Sequence, residues 1–199
     1  MTDLYSDTTA LLVVDVQNDF ADPAGSLYVA GAEEIVGGVN DQVREASGRG
    51  ALVVYTSDWH PPATPHFAKD GGVWPVHCVA GTWGSEFHPG LDIVEGGAFV
   101  HKGVGGEDGY SAFSVREPVS GARAETGLDK LLRERHIDRL VVVGLATDYC
   151  VKETAFDAIA KGYGVTVLVG LVRAVDLHPG DGDRALDEVR AAGAQLVER

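Results

Sequence analysis

The sequence predicts an α/β fold in which a parallel β-sheet carries helices on both faces. Apolar runs rich in β-branched residues alternate with segments of helical periodicity along the 199 residues. That alternation is typical of sheets whose strands are joined by helices. No internal repeat, linker or low-complexity tract interrupts it, so we expect one domain spanning residues 1–199.

The first half of the chain contains three predicted strands and one helix. The strands are continuous apolar runs, as expected for strands buried on both faces. The helix is predicted from apolar residues that recur at helical spacing after the first strand. The strand segments are ALLVVDV (10–16), ALVVYTS (51–57) and GGAFVHKG (96–103), and the helical positions are Ile35, Val36, Val39 and Val43.

The second half continues the alternation with three helices and three strands. The expected helices contain Leu128, Leu131 and Leu132, span 147–164 with an end at Gly162 or Gly164, and span 180–193. The expected strands are RLVVVGL (139–145), GVTVLVG (164–170) and AQLVE (194–198). The whole sheet is therefore expected to have six strands in three α/β/α layers.

Composition excludes several classes of function. The formal net charge of −14 argues against nucleic-acid partners, because phosphate binding needs a basic face. The longest apolar runs are too short for a membrane span, and the acidic segment MTDLYSDTTA does not resemble a signal peptide. Two cysteines make no disulfide framework. We therefore expect a cytoplasmic protein without a membrane partner.

Chemically reactive side chains follow four of the predicted strands. Asp15 ends the first strand, Asp58 follows the second and Lys102 the third, while Cys150 follows the fourth in the first turn of a helix. In open α/β sheets, ligands bind beyond the carboxyl ends of the strands, near the point where strand order reverses. We therefore expect these groups to meet at one edge of the sheet.

A possible metal site lies in the segment DWHPPATPHFAKDGGVWPVHC, at 58–78. Asp58, His60, His66 and His77 offer one carboxylate and three imidazoles, a ligand set for Zn²⁺, Fe²⁺ or Mn²⁺. The competing interpretation is a polar surface loop. Because the chain has seven histidines in all, the clustering of three favours one divalent metal ion, with Zn²⁺ as the first choice.

Cys150, Asp15 and Lys102 suggest nucleophilic catalysis. Cys150 follows Thr147 and Asp148, which are good N-cap residues, and a helix N-terminus favours a thiolate. Asp15 would act as general base, and Lys102 would hold its charge in place. The competing interpretations are a packed core thiol, a turn-capping aspartate and a solvated lysine. The other cysteine, Cys78, is expected to be structural.

Aromatic residues beside these groups suggest the kind of ligand. Phe20, Trp74 and Tyr149 would form a flat slot for an aromatic ring, although each is also a reasonable core residue. The glycine-rich stretch 103–109 does not match a phosphate-binding loop, because it carries two acids and does not open a helix. We expect it to be a mobile loop over the site, backed by Tyr110 and Phe113.

Together these motifs resemble the isochorismatase-like cysteine hydrolases, and most closely their nicotinamidase/pyrazinamidase branch. The resemblance covers nearly the full length. It is carried by VDVQNDF (14–20), DWH (58–60), WPVHCVAGTWGSEFHP (74–89), HKG with YSAF downstream, and GLATDYCVKETAFDA (144–158). It implies a doubly wound sheet of strand order 3-2-1-4-5-6 and hydrolysis of a carboxamide through a cysteine thioester.

The resemblance also implies roles for particular residues. The triad would be Asp15, Lys102 and Cys150, and the metal ligands Asp58, His60 and His77, with His66 as a further ligand that varies among relatives. A cis peptide is implied between Leu145 and Ala146, with an oxyanion hole from the backbone N–H groups of Ala146 and Cys150. The substrate would be a small aromatic amide, nicotinamide or pyrazinamide, in NAD salvage. The family often forms homo-oligomers.

Three other functions are considered. Another amidase of the superfamily would act on a carbamoyl or ureido substrate, but such relatives generally lack the DxH…H set. A true isochorismatase cleaves a vinyl ether without a nucleophilic cysteine, and Cys150 argues against it. A catalytically inactive metal-binding protein of the same fold has little support, since every triad and metal position is present.

Overall fold

The computed structural model describes residues 4–199 and contains one six-stranded parallel sheet and one antiparallel hairpin. The strands are β1 (Thr9–Val14), β2 (Leu52–Asp58), β3 (Ala98–Lys102), β4 (Ser114–Arg116), β5 (Arg123–Glu125), β6 (Arg139–Leu145), β7 (Gly164–Arg173) and β8 (Gln195–Val197). The large sheet has the order β3-β2-β1-β6-β7-β8, and β4 pairs with β5. If β4 and β5 are left out and the six strands of the large sheet are numbered along the chain, their order is 3-2-1-4-5-6. This is the order that the family resemblance implied, so the predicted fold is confirmed.

Helices cover both faces of the sheet. They are α1 (Asn18–Ala21), α2 (Ala32–Gly48), α3 (Leu128–Glu134), α4 (Lys152–Ala160) and α5 (Asp181–Ala191). On one face α2 packs against β1, β2, β6 and β7, whereas α3, α4 and α5 contribute to the core on the other face. Within residues 4–199, no helix is both long and apolar enough to cross a membrane.

The alternation of side chains along β1 divides the hydrophobic core in two. All six residues of β1 are buried. Leu11 and Val13 belong to the cluster beneath α2, whereas Leu12 and Val14 belong to the cluster beneath α3, α4 and α5. Because successive side chains of a strand point to opposite faces, a continuous apolar run is what a strand between two helical layers requires.

Some boundaries differ from the sequence predictions. The hairpin β4–β5 and the short helix α1 were not predicted. The strand predicted over 164–170 continues to Arg173, and its pairing with β6 is irregular between Val142 and Gly144. Gly170 does not end the strand; a Cβ there would lie 2.0 Å from the carbonyl oxygen of Arg199. The expectation of one domain spanning residues 1–199 stays a prediction.

Candidate active site and metal centre

The reactive side chains that follow the strands meet at the carboxyl edge of the sheet. Asp15 directly follows β1, and Lys102 is the last residue of β3. The Lys102 Nζ lies 2.6 Å from Asp15 Oδ2 and 3.4 Å from Cys150 Sγ. All three residues are buried. The structure therefore brings together the three side chains that the sequence analysis predicted to form a catalytic triad.

Asp15 is held by Thr56, a residue of the neighbouring strand β2. The Thr56 hydroxyl donates to Asp15 Oδ1 at 2.6 Å and accepts the Asp15 backbone N–H at 3.2 Å. Asp15 also has a φ of 50°, a left-handed conformation that is uncommon for aspartate. These constraints aim the carboxylate at Lys102. Sequence reasoning missed Thr56, because nothing in an apolar strand marks one threonine as a partner.

Lys102 is completely buried and faces two carboxylates. Besides Asp15, its Nζ lies 2.8 Å from Asp58 Oδ1, and it donates a hydrogen bond to the carbonyl oxygen of Gly109. Burial alone would lower the pKa of Lys102. The charges of Asp15 and Asp58 outweigh this effect and hold that pKa well above its usual value. Lys102 is therefore a permanent cation in the site.

The Cys150 thiol and the Asp15 carboxyl both have raised pKa values. Burial raises the pKa of the Cys150 thiol well above its usual value, and Lys102 opposes that effect without overcoming it. Burial also raises the pKa of Asp15, again against the influence of Lys102. The resting thiol thus keeps its proton at neutral pH. A nearby carboxylate of increased basicity is a suitable acceptor for that proton.

The helix that carries Cys150 begins differently from the prediction. Ala146 occupies the N-cap position, and Thr147–Val151 forms a π-helical turn that leads into α4. Asp148 was expected to cap this helix, and that expectation was wrong. Its carboxylate instead accepts the backbone N–H groups of Val175 at 3.0 Å and Asp176 at 2.9 Å. Asp148 therefore links the segment after β7 to the π-helical turn that contains Cys150.

The backbone before Cys150 contains the cis peptide that the family resemblance implied. The peptide bond between Leu145 and Ala146 is cis. Ala146 and Cys150 both line the same cavity. Their assignment as an oxyanion hole stays a prediction.

Three histidines and a carboxylate form a buried cluster beside the triad. One ligating atom from each of His60, His66 and His77 lies within 4.8 Å of the others. Asp58 Oδ2 lies 3.8 Å from both His60 Nε2 and His77 Nε2. All four residues are buried. The four predicted ligands therefore surround one small volume.

The hydrogen bonds of the histidine rings fit a metal ion. His77 Nδ1 bonds to the carbonyl oxygen of Pro75 at 2.8 Å, and His66 Nδ1 bonds to Asp108 at 2.6 Å, so each ring keeps Nε2 available. Neither ring nitrogen of His60 has a hydrogen-bond partner within residues 4–199, although the ring is fully buried. A buried polar atom without a partner is costly. A divalent cation bound here would give one of the two His60 ring nitrogens a partner. The donor set therefore fits a metal ion.

Asp58 connects the metal cluster to the triad. Burial alone would raise its pKa, but Lys102, followed by His60 and His77, outweighs that effect and holds the pKa below its usual range. Asp58, Asp15 and Cys150 also lie within 4.8 Å of one another. That second group is not a metal site, because the Lys102 ammonium already supplies the cation among these atoms.

Gln17 positions Asp58 through its backbone and was missed by the sequence analysis. The Gln17 amide donates to the Asp58 carbonyl oxygen and accepts the Asp58 N–H, both at 2.8 Å. Gln17 is fully buried, and the same amide group donates to the carbonyl oxygen of Ser85 at 2.9 Å. An uncharged amide placed directly after a buried apolar strand, in the motif VDVQNDF, was the signal that could have identified it.

A narrow, largely apolar cavity is lined by Cys150 and by two of the histidines, His66 and His77. Phe20, Trp74 and Tyr149 all line it, as the sequence analysis expected. The Trp74 indole N–H donates to the Tyr110 hydroxyl at 2.7 Å, and its ring meets Tyr149 edge-on at 4.9 Å. Residues that the sequence did not indicate complete the wall: Leu27, Val29, Leu145 and Val175.

The glycine-rich stretch 103–109 is hydrogen-bonded to the metal segment, and its expected mobility stays a prediction. The carbonyl oxygen of Gly106 accepts the Thr64 hydroxyl at 2.6 Å. Gly103 has a φ of 72°, and a Cβ there would lie 2.5 Å from the His60 ring. Its glycines therefore allow the backbone to pass close to the ligands. Phe113, placed behind the loop by the sequence analysis, is a core residue.

Comparison with known proteins agrees with this geometry. The sequence model of the isochorismatase domain matches residues 9–199. The chain belongs to the isochorismatase family. A similar member is the nicotinamidase of Escherichia coli (strain K12), 40% identical in an alignment of 203 positions, gaps included, that covers 94% of this chain and 93% of that protein.

Two solved structures are also similar to this chain in fold. The pyrazinamidase of Pyrococcus horikoshii in complex with zinc has a TM-score of 0.86 at 37% identity, covering 96% of this chain and 99% of the other. PnC1 from L. infantum in complex with nicotinate has a TM-score of 0.89 at 36% identity, covering 100% of this chain and 96% of the other. The predicted family and its resemblance to nicotinamidases are thereby confirmed.

Proposed function

We propose that this protein is a metal-dependent nicotinamidase that hydrolyses nicotinamide to nicotinate and ammonia and also accepts pyrazinamide. The observation that carries the proposal is the position of the Cys150 thiol. It lies beside the Asp15–Lys102 pair, and Cys150 lines the same cavity as His66, His77 and the aromatic residues. The amide-hydrolysing relatives support the same reaction. The cellular setting would be NAD salvage in the cytoplasm, by a homo-oligomer.

The cavity suits a flat aromatic ring that bears a carboxamide. The ring would stack between Phe20 and Trp74, with the carboxamide toward Cys150 and the ring nitrogen toward the histidines. Asp58, His60, His66 and His77 would hold one divalent ion, Zn²⁺ in our proposal. When bound, that ion would supply a positive charge that orients the ring nitrogen or a water molecule. Orientation of this kind lowers the entropic cost of the reaction.

The first chemical step would form a bond between Cys150 Sγ and the carboxamide carbon. Asp15 would take the thiol proton as the sulfur attacks, which the raised pKa of Asp15 favours. The carbonyl oxygen would become an oxyanion held by the backbone N–H groups of Ala146 and Cys150. Lys102 would stay protonated throughout and limit the build-up of negative charge.

The second step would expel ammonia, and the third would release the product. Asp15 would return its proton to the amide nitrogen as the carbon–nitrogen bond breaks, leaving a thioester on Cys150. Water would then add to the thioester carbon while Asp15 accepts one of its protons. Breaking the carbon–sulfur bond would release nicotinate, and the proton on Asp15 would restore the thiol.

The first test is ammonia release from nicotinamide by purified protein, before and after chelation and after metal add-back. Chelator-sensitive release that Zn²⁺ restores is the expected result. An N-carbamoyl amino acid would serve as the competing substrate. No release from nicotinamide by the metal-loaded protein, with release from the competitor, would assign the triad to a different amide.

The metal site itself is tested by metal content. Asp58→Asn and His60→Ala should each reduce bound metal after dialysis, because each removes a buried ligand. His136→Asn is the matched control, since His136 is exposed and lies outside the cluster. Unchanged metal content in both cluster variants would contradict the proposed site.

A further inference from the structure

His66 is held by a carboxylate from a distant part of the chain. Its Nδ1 lies 2.6 Å from Asp108 Oδ1, the two residues being 42 positions apart. The His66 side chain is 3% exposed and that of Asp108 is 22% exposed. An ionised carboxylate only accepts hydrogen bonds, so Nδ1 carries the hydrogen and Nε2 keeps its lone pair.

We propose that Asp108 is a positioning residue that makes His66 a strong metal ligand in this chain. The inference rests on the metal site of the proposed function and adds to it a residue outside the ligand set. A carboxylate that accepts the outer N–H of a ligating imidazole fixes the ring's tautomer and orientation and increases electron donation toward the metal.

The backbone segment that carries Asp108 is itself held in place. The backbone of Asp108 exchanges two hydrogen bonds with Arg116, at 2.7 and 3.0 Å. A second connection joins the segment that carries His66 to the segment that carries Asp108. Thr64 donates to the carbonyl oxygen of Gly106 at 2.6 Å, and its hydroxyl accepts the His66 backbone N–H at 3.1 Å. The segments that carry the ring and its carboxylate partner are therefore both anchored before any metal binds.

The three histidines of the cluster differ in what holds them. The His77 ring bonds to a neutral backbone carbonyl, that of Pro75. The His60 ring has no hydrogen-bond partner in the part of the chain that the structure describes. Within the same residues, only His66 uses its outer nitrogen to bond a carboxylate. The charge of Asp108 should therefore act on the metal through His66 and not through the other two rings.

Metal affinity tests this without any measurement of activity. Zn²⁺ binding to metal-free protein would be measured by competition with a chromophoric chelator, for wild type, Asp108→Asn and Asp108→Ala. We expect a dissociation constant about 10- to 100-fold higher in both variants, and a larger change for Asp108→Ala. Glu107→Gln is the matched control: it removes a neighbouring charge whose carboxylate bonds only within the loop, to the N–H of Gly105.

A double-mutant cycle distinguishes a role through His66 from a general structural one. In a His66→Ala background, Asp108→Ala should change Zn²⁺ affinity less than about 2-fold, because the ring through which it acts is gone. Co²⁺ absorption should also change in Asp108→Asn and stay unchanged in Glu107→Gln. Either full additivity in the cycle or wild-type affinity in both Asp108 variants would overturn the inference alone. A wild-type protein that binds no Zn²⁺ would instead overturn the proposed metal site, and this inference with it.

Discussion

Lys102 Nζ lies 2.6 Å from Asp15 Oδ2, and neither side chain reaches solvent, with 0% and 1% of their surfaces exposed. The same ammonium lies 2.8 Å from Asp58 Oδ1. One cation thus serves two buried carboxylates, one in the triad and one in the metal cluster. Because each of these charges depends on the others for compensation, the proposed catalytic and metal sites form one electrostatic unit.

Replacing Lys102 should therefore destabilise the protein as well as inactivate it. Lys102→Met keeps much of the side-chain volume but leaves Asp15 and Asp58 buried without their cation. We expect the free energy of unfolding to fall by about 3–5 kcal/mol, measured by urea denaturation of metal-free protein. Lys152→Met is the control, because Lys152 pairs with Glu188 at the surface, at 3.4 Å. That change should cost less than about 1 kcal/mol, and a similarly small loss at Lys102 would contradict the account.

Removing the thiol should abolish turnover and leave the fold intact. Cys150→Ala should lower the rate of ammonia release from nicotinamide by at least about 10³-fold, because no other group can form the thioester. Circular dichroism should be unchanged. Cys78→Ala is the control for loss of a buried cysteine and should keep most of the activity. Substantial ammonia release by the Cys150 variant would remove cysteine from the mechanism.

The pH dependence of kcat/KM should report the raised pKa of Asp15. Burial raises this pKa above the ordinary aspartate value of 3.8, even against the attraction of Lys102. Asp15 can accept the thiol proton only while ionised, so kcat/KM should fall as the pH is lowered through the raised pKa. The inflection should lie above pH 3.8. Metal content measured at each pH would separate this effect from loss of the ion. An inflection at or below the ordinary value, with metal retained, would exclude Asp15 as a base of raised pKa.

Trp74 should contribute mainly to substrate binding. Its ring lines the cavity, meets Tyr149 edge-on and donates to the Tyr110 hydroxyl. Trp74→Ala removes the stacking surface, and we expect KM for nicotinamide to rise about 10-fold with a smaller effect on kcat. The KM of Trp74→Phe should lie between those of the wild type and Trp74→Ala, since this variant keeps a ring and loses the hydrogen bond. Trp83→Ala, at a residue 48% exposed, is the control. Equal KM values for all four proteins would contradict the aromatic slot.

The placement of the site was predictable because it follows from a general property of parallel sheets. Asp15, Asp58 and Lys102 each stand at the carboxyl end of an apolar run, and parallel strands bring those ends to one edge. The start of the helix at Cys150 was less predictable. Asp148 has the side chain of an N-cap, but two backbone N–H groups beyond β7 compete for its carboxylate. Local propensity yields to such long-range hydrogen bonds.

The α/β class, the alternation of strands and helices, and the side chains that meet at the sheet edge could all be inferred from the sequence. These features depend on periodicity and on the positions of residues relative to strand ends, and both are local properties of the chain. Three contacts arise only in the folded chain: Gln17 holds Asp58, Thr56 holds Asp15 and Asp108 holds His66. Each of these partners lies 41 or 42 residues from the side chain it holds. Their contacts, like the raised pKa values of the triad, arise from burial and packing between distant segments, which no local pattern encodes.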